Sequence, residues 1–148
     1  PDLLRMVKNI GLEYRFGETF QREENYYSPL VHSDAPDLDQ PDAAKINWVF
    51  GGSGSLMHWY EPVNEKFGFT SKTVLGSKFK LYDKADVRLV HSQKIGCPSI
   101  VQVGMLHDVT TGPEKRLCVS ILLQPIGEDR YISFDELMSY LKDFITEV

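Results

Sequence analysis

The sequence predicts a mainly β protein whose strands form a jelly-roll or cupin-like double sheet, with a helix at each end. First, apolar residues alternate with polar ones over 12–16, as in a half-buried strand. Second, short β-rich segments recur near 45–50, 55–61, 86–91, 99–105 and 116–123. Third, Gly, Pro, Asp and Ser separate these segments, which favours hairpins over helical crossovers. Short strands with such turns are typical of double-sheet β folds.

The two predicted helices lie at the ends of the chain. Apolar residues have helical spacing over 1–10, and Gly11 follows where a left-handed residue often ends a helix. Near the other end, Ser133 and Glu136 have the spacing of a capping box. The helix that begins there has one apolar stripe, formed by Phe134, Leu137, Met138, Leu141, Phe144 and Ile145. We expect this stripe to pack against the sheet.

Length and composition limit the architecture and the partners. The 148 residues are the length of one domain, so we predict a single domain over 1–148, with loops at 34–44 and 61–80. A net charge of −5 and the lack of a Lys/Arg run argue against a nucleic-acid partner. No apolar segment approaches the roughly 20 residues that cross a bilayer, so we predict no membrane-spanning helix.

Two cysteines bear on the compartment. Cys97 and Cys118 form neither a C-x-x-C pair nor a disulfide-rich pattern. A reducing cytoplasm is therefore the expected location, although one disulfide between the two cysteines stays open.

A His-x-Asp sequence at His32 and Asp34 is the first candidate for chemistry. In an extended segment, residues two apart project to the same face, so both side chains can reach one ion. With a second imidazole, they would form the two-His-one-carboxylate set that binds non-haem Fe(II). The alternative is a surface turn in which Asp34 caps the following loop.

His107 and Arg116 are the downstream candidates. The segment around His107 follows a predicted strand and Arg116 begins the next one, so we expect them on adjacent strands joined by a Gly-Pro turn and facing one cavity. By strand parity, Arg116, Cys118 and Ser120 share a face. A buried arginine there is costly unless it meets an anion, whereas an arginine at a sheet edge would be solvated.

The sequence contains further polar residues that bear on the predicted site. Asn47 and Tyr60 fall on strands predicted to line the cavity, whereas His58 is expected to be a hydrogen-bonded strand residue and His91 structural or exposed. A calcium loop in the acidic segment 34–42 lacks the EF-hand pattern. P-loop, dinucleotide, G-x-S-x-G and zincin motifs are absent from the sequence.

Together with the segments INWVF, HWYEP and GMLHDVTTGPEKRLCVSI, these residues resemble the Fe(II)- and 2-oxoglutarate-dependent oxygenases, in particular small prolyl-hydroxylase-like members. The resemblance covers roughly 30–123 and implies a double-stranded β-helix. It implies that His32, Asp34 and His107 form the catalytic iron site and that Arg116 binds the far carboxylate of 2-oxoglutarate. Many members place a serine two residues after the arginine. Here that position is Cys118.

The resemblance also implies the reaction. Fe(II), 2-oxoglutarate and O2 would yield succinate and CO2 while a C–H bond of a small-molecule or peptidyl substrate is hydroxylated. Asn47, Tyr60 and Ser120 are candidates for further cosubstrate contacts. Two alternatives stay open: a cupin-type protein that binds a metal and a small anion without oxygen chemistry, and a structural β-sandwich in which these residues are incidental.

Overall fold

The computed structural model describes residues 2–34, 40–63, 68–72, 78–96 and 98–146. In chain order its helices and strands are α1 (Asp2–Asn9), β1 (Leu12–Arg22), β2 (Leu30–Ser33), β3 (Ala44–Gly51), β4 (Leu56–Pro62), β5 (Phe69–Lys72), β6 (Lys78–Asp83), β7 (Val87–Gln93), β8 (Ser99–Gln102), β9 (Leu106–Thr110), β10 (Arg116–Pro125) and α2 (Phe134–Leu141). Short 3₁₀ turns precede β7 and follow α2. The protein is mainly β, as predicted.

The strands form two antiparallel sheets. One sheet has four strands in the order β1-β10-β3-β8, and the other has six in the order β5-β6-β2-β9-β4-β7. The chain passes from one sheet to the other after β1, β2, β3, β7, β8 and β9. Consecutive strands are therefore mostly in different layers, while β5 and β6 form a hairpin within one layer.

The predicted preference for hairpins is wrong at two turns. The segment Gly51-Gly52-Ser53-Gly54 and the turn at Gly112-Pro113 each join strands of different sheets, so neither closes a hairpin. For the same reason His107 and Arg116 are not on adjacent strands of one sheet. β9 pairs with β2 and β4, whereas β10 pairs with β1 and β3. Local turn residues indicate where a chain reverses, but they do not choose the pairing partner.

The apolar core is divided among three clusters. Side chains of both sheets meet in the cluster between the layers, which contains Val49, Met57, Val101, Val103 and Cys118. A second cluster joins α1 and α2 to the four-stranded sheet through Val7, Leu12, Leu123, Leu137 and Leu141. A third, on the six-stranded sheet, contains Val31, Tyr60, Tyr82 and Leu106. Cys118 is a free thiol, and Cys97 lies outside the described residues.

Both predicted helices are present. Gly11 follows α1 with φ of 86°, the left-handed conformation expected at a helix end. Ser133 caps α2, and both hydrogen bonds of the capping box with Glu136 form. The apolar stripe is shorter than predicted because α2 ends at Leu141, which leaves Phe144 and Ile145 exposed.

The two predicted loops differ in outcome. The interval 61–80 contains the end of β4, all of β5 and the start of β6, so predicting a loop throughout was wrong. Positions 64–67 and 73–77 of this interval lie outside the described residues. A four-residue strand such as β5 has too few positions to show alternation in the sequence. Positions 35–39, which include most of the acidic segment, lie outside the described residues. Among the described residues, no helix is long and apolar enough to cross a membrane.

Candidate metal centre and cofactor cavity

The pairing of β2 with β9 brings three possible metal ligands together. His32 lies directly opposite His107 in the antiparallel register, and opposed residues place their side chains on one face. Asp34, two residues after His32, projects to that face just beyond the end of β2. One ligand atom from each residue lies within 4.8 Å of the other two. The tertiary fold thus joins residues that are more than seventy positions apart in the chain.

Both imidazoles are suited to bind a cation. His107 Nδ1 lies 2.9 Å from the backbone carbonyl oxygen of Met105. Because a carbonyl only accepts hydrogen bonds, the neutral tautomer that fits this contact has its proton on Nδ1 and its lone pair on Nε2. Burial, reinforced by His107, lowers the pKa of His32 to about 3, so His32 is neutral near pH 7. The two ring centroids are 4.3 Å apart.

Asp34 supplies the negative charge. Burial would raise its pKa, but the Lys45 ammonium and the two imidazoles outweigh this effect and lower it to about 2. Lys45 Nζ donates a hydrogen bond of 2.7 Å to Oδ2, while Oδ1 lies 3.6 Å from His32 Nε2. Lys45 therefore fixes one carboxylate oxygen and leaves the other beside the imidazole.

Arg116 reaches the same cavity from the opposite sheet. It is the first residue of β10, is only 4% exposed, and lines the cavity together with His32, Asp34 and His107. Within the described part of the chain, no carboxylate forms an ion pair with it, and burial lowers the pKa of its guanidinium. A buried cation without an anion is unfavourable, so this position is suited to an anionic ligand.

The predicted polar residues Asn47 and Ser120 lie side by side on the four-stranded sheet and line the cavity. Ser120 Oγ donates a 2.7 Å hydrogen bond to Asn47 Oδ1, which leaves the Asn47 amide nitrogen able to donate to a ligand. Cys118, between Arg116 and Ser120 on the same face, also lines the cavity, and burial raises the pKa of its thiol.

The structure does not bring Tyr60 to this cavity. In the register of β4 with β9, Trp59 is opposite His107 and Tyr60 is opposite Leu106, so Tyr60 projects to the other face of the six-stranded sheet. There its hydroxyl donates a 3.0 Å hydrogen bond to Asp108 Oδ1. Burial, together with Asp108, raises its pKa. Strand membership was predicted, but the face depended on the register.

The other two histidines lie outside the cluster. His58 hydrogen-bonds through Nδ1 to Ser92 Oγ at 2.7 Å and through Nε2 to Thr110 Oγ1 at 2.9 Å, as expected of a structural strand residue. His91 is exposed on β7, which also agrees with the prediction.

Sequence reasoning missed two cations at the site, Lys45 and Arg22. Lys45 is 3% exposed and precedes Asn47 by two residues, so strand parity could have identified it. Arg22 is opposite Arg116 in the pairing of β1 with β10. Because Arg22 is two residues after Phe20, strand parity could have placed the two on one face. Its position beside Arg116, however, depends on a strand pairing between residues about ninety positions apart in the chain.

The cavity has two connected parts. The inner chamber, of about 90 Å³, is lined by Asn47, Met57, Val103, His107, Arg116 and Ser120, among others. The outer chamber, of about 260 Å³, is lined by Phe16, Glu18, Lys45, Phe79, Leu81 and Tyr131, among others. Residues shared by both chambers include Phe20, Arg22, His32 and Asp34. Two of the three candidate metal ligands, His32 and Asp34, therefore lie where the two chambers meet, and His107 faces the inner chamber.

Comparison with known proteins adds no assignment. No protein-family model matches the chain, and no curated protein matches it either.

Proposed function

We propose that this protein is an Fe(II)- and 2-oxoglutarate-dependent dioxygenase that hydroxylates a C–H bond of its substrate. The observation that carries the proposal is one cavity that joins a His32-Asp34-His107 cluster to the buried Arg116 from the opposite sheet. The cluster offers ligands for a cation, and the arginine offers a site for a carboxylate. Both are required by an enzyme that uses a metal and a 2-oxo diacid together.

The order of the strands supports a double-stranded β-helix. Leaving aside the β5-β6 hairpin, successive strands alternate between the two layers except where β7 follows β4 within one sheet. Such a double sheet encloses a cavity between its layers. In this fold the metal ligands would come from β2 and β9 of one sheet, and the diacid anchor from β10 of the other.

The donor set fits Fe(II). Two neutral imidazoles and one carboxylate form the facial group that leaves coordination positions open. The hydrogen bond from His107 Nδ1 to Met105 and the hydrogen bond from Lys45 to Asp34 hold two of the ligands in orientation. When bound, the iron would supply the oxygen chemistry, coupled to conversion of 2-oxoglutarate to succinate and CO2.

The chain itself binds and orients the cosubstrate. The planar guanidinium of Arg116 can donate two parallel hydrogen bonds to the far carboxylate of 2-oxoglutarate. The Asn47 amide nitrogen can donate to a second oxygen, since Ser120 satisfies Oδ1. Apolar side chains of Met57, Val103 and others narrow the inner chamber and exclude water.

A two-part experiment tests the proposal. Wild-type protein should bind about one equivalent of Co(II) or Mn(II) by titration, and His107→Ala should abolish this binding. The matched control is His91→Ala, which removes an exposed imidazole and should bind metal normally. Fe(II)-loaded protein given 2-oxoglutarate and O2 should then release succinate above the His107→Ala background.

The outcomes separate the three candidate functions. Binding of both metal and 2-oxoglutarate without any succinate would contradict an oxygenase and favour a cupin-type binding protein. No stoichiometric binding of Fe(II), Mn(II) or Co(II) would leave a structural β-sandwich.

A further inference from the structure

We propose that the outer chamber binds the primary substrate and that this substrate is a small organic anion with an aromatic or other flat apolar body. The inference rests on the proposed function only in naming the ligand a substrate. The chemistry of the chamber stands on its own.

The walls of the outer chamber are rich in aromatic side chains. Phe16 and Phe20 come from β1, Phe79 from β6, and Tyr131 from the segment before α2, while Leu30 and Leu81 complete the apolar surface. The Phe79 ring meets the His32 ring edge-on, with centroids 6.3 Å apart. An aromatic ligand in this space can form offset or edge-to-face contacts with several rings. A bound ring would lie next to the candidate metal ligands.

The charges that face the chamber leave a positive excess. Lys45 donates to Asp34 and lies 3.8 Å from Glu18, so one ammonium faces two carboxylates and this group is negative by one charge. Arg22 forms no ion pair with a carboxylate among the described residues. It donates to the Gln21 carbonyl oxygen and lies 4.9 Å from the centre of the Tyr26 ring, contacts that leave its charge unneutralised.

Lys78 adds a further positive charge at the rim of the same chamber, so three cations and two carboxylates line it and the excess is one positive charge. Local positive charge is notable in a chain whose net charge is −5. Binding an anionic group at Arg22 would neutralise this excess through charge-assisted hydrogen bonds. The cation at Arg116, which faces the inner chamber, remains available for the far carboxylate of 2-oxoglutarate.

The volume of the chamber sets the size of the ligand. A cavity of about 150 Å³ is enough for benzene, and drug-sized ligands occupy about 300 Å³ or more. The outer chamber, at about 260 Å³, fits one ring with a short acidic chain.

The test uses three isosteric probes with metal-free protein: 3-phenylpropionate, 3-phenylpropanamide and 3-phenylpropylammonium. Their dissociation constants are measured by NMR titration. The acid should bind about tenfold more tightly than the amide, because one charge-assisted hydrogen bond accounts for at least that ratio. The ammonium compound should bind most weakly. Equal binding of the acid and the amide, or tighter binding of the ammonium compound, would overturn the proposal.

Single substitutions locate the site at which the three probes bind. Arg22→Ala should remove the preference for the acid over the amide, and Phe79→Ala should weaken all three probes. Arg88→Ala, which removes an exposed arginine paired with Glu61, is the matched control and should change nothing. Circular dichroism checks that each variant is folded.

Arg116→Ala distinguishes the two chambers. The preference for 3-phenylpropionate should persist in this variant, and its loss there would place the acid in the inner chamber and contradict the inference. Glutarate, the diacid that lacks the 2-oxo group, serves as a probe for the 2-oxoglutarate position. An Arg22→Ala variant that binds glutarate less well but still prefers 3-phenylpropionate to the amide would also contradict the inference, since Arg22 would then bind the cosubstrate. Because every measurement is made without metal, these results are independent of whether succinate is formed.

Discussion

Arg116 shows how a single side chain can favour ligand binding over stability. Its guanidinium is buried at 4% exposure, and no carboxylate of the described residues pairs with it. Burial without a carboxylate partner disfavours the charged form, which is why its pKa is lowered. An anion bound beside Arg116 would offset this cost.

We predict that Arg116→Met stabilises the ligand-free protein, by about 1 kcal/mol or more, because it removes an uncompensated buried charge and keeps most of the side-chain volume. The same change should abolish glutarate binding. Urea unfolding and NMR titration measure the two effects. Arg88→Met, at an exposed position, should stay within about 0.5 kcal/mol of wild type. A strongly destabilised Arg116→Met protein would mean that the arginine is structural.

Gly52 illustrates how one turn residue supports the site. A Cβ at Gly52 would lie 2.9 Å from Arg116 Cβ and 2.7 Å from Ser55 Oγ, and its φ of 68° is left-handed. The turn between β3 and β4 therefore packs closely on the stem of Arg116, and only glycine avoids both the steric contact and the backbone strain.

The expected result of Gly52→Ala is destabilisation that exceeds the cost of a left-handed alanine alone. Gly127→Ala is the matched control: its φ is 81° and nothing lies within 4 Å of the added Cβ, so it should lose only about 1–2 kcal/mol. Urea unfolding of both variants gives the comparison. Equal losses would show that the contact with Arg116 is easily relieved.

At the level of helices and strands, α2 depends on the polar groups at its start. Arg130 donates to both Glu136 carboxylate oxygens, at 2.7 and 2.6 Å, and Glu136 accepts from the Ser133 backbone N–H. These hydrogen bonds, first of all those from Arg130, lower the pKa of Glu136 from 4.5 to about 2. Since α2 covers part of the four-stranded sheet, its capping affects the packing beneath it.

The pH dependence follows from the sign of this shift. A carboxyl whose folded pKa is depressed stabilises the fold above its unfolded pKa, and the stabilisation is lost as pH falls from about 4.5 to about 2. Glu136→Gln should flatten the stability profile in that interval. Asp135→Asn removes a neighbouring acid and should preserve the wild-type slope there. Urea midpoints measured between pH 2 and pH 6 test this prediction. Identical profiles for wild type and Glu136→Gln would refute the role of the Arg130–Glu136 pair.

In the molecule as a whole, the residues proposed to bind the metal and the diacid come from both layers. His32, Asp34 and His107 belong to the six-stranded sheet and its end, while Arg116 and Asn47 belong to the four-stranded sheet. A metal alone would stabilise one layer, whereas a diacid held by both the metal and Arg116 would join the layers. Ligand binding to the native state raises the free energy of unfolding by about 2.7 kcal/mol at a hundred times the dissociation constant.

We therefore predict that 2-oxoglutarate raises the free energy of unfolding more strongly when Mn(II) is present than when it is absent. In Arg116→Met, Mn(II) should still stabilise, but the added 2-oxoglutarate should have little further effect. Unfolding curves at fixed ligand concentrations measure both increments. An undiminished diacid increment in Arg116→Met would place the diacid elsewhere.

Much of the candidate site was predictable, because several of its residues are only a few positions apart on the same strand. His32 and Asp34 share a face by strand parity, and Arg116 shares one with Ser120. Tyr60 was placed on a strand correctly but on the wrong face, since a one-residue change of register reverses the side that a residue occupies. Arg22 could not be placed at all without knowing that β1 pairs with β10.

The sequence by itself determined the local features: the alternation that makes β1 and β10 strands, the capping box at Ser133, the His-x-Asp spacing, and a strand that begins with an arginine. These depend on interactions between residues a few positions apart. The tertiary structure alone decided that β9 and β10 belong to different sheets, that Arg22 neighbours Arg116, and that a second chamber opens beside His32. Strand pairing reflects apolar burial summed over whole sheets, and no short segment of the chain contains that sum.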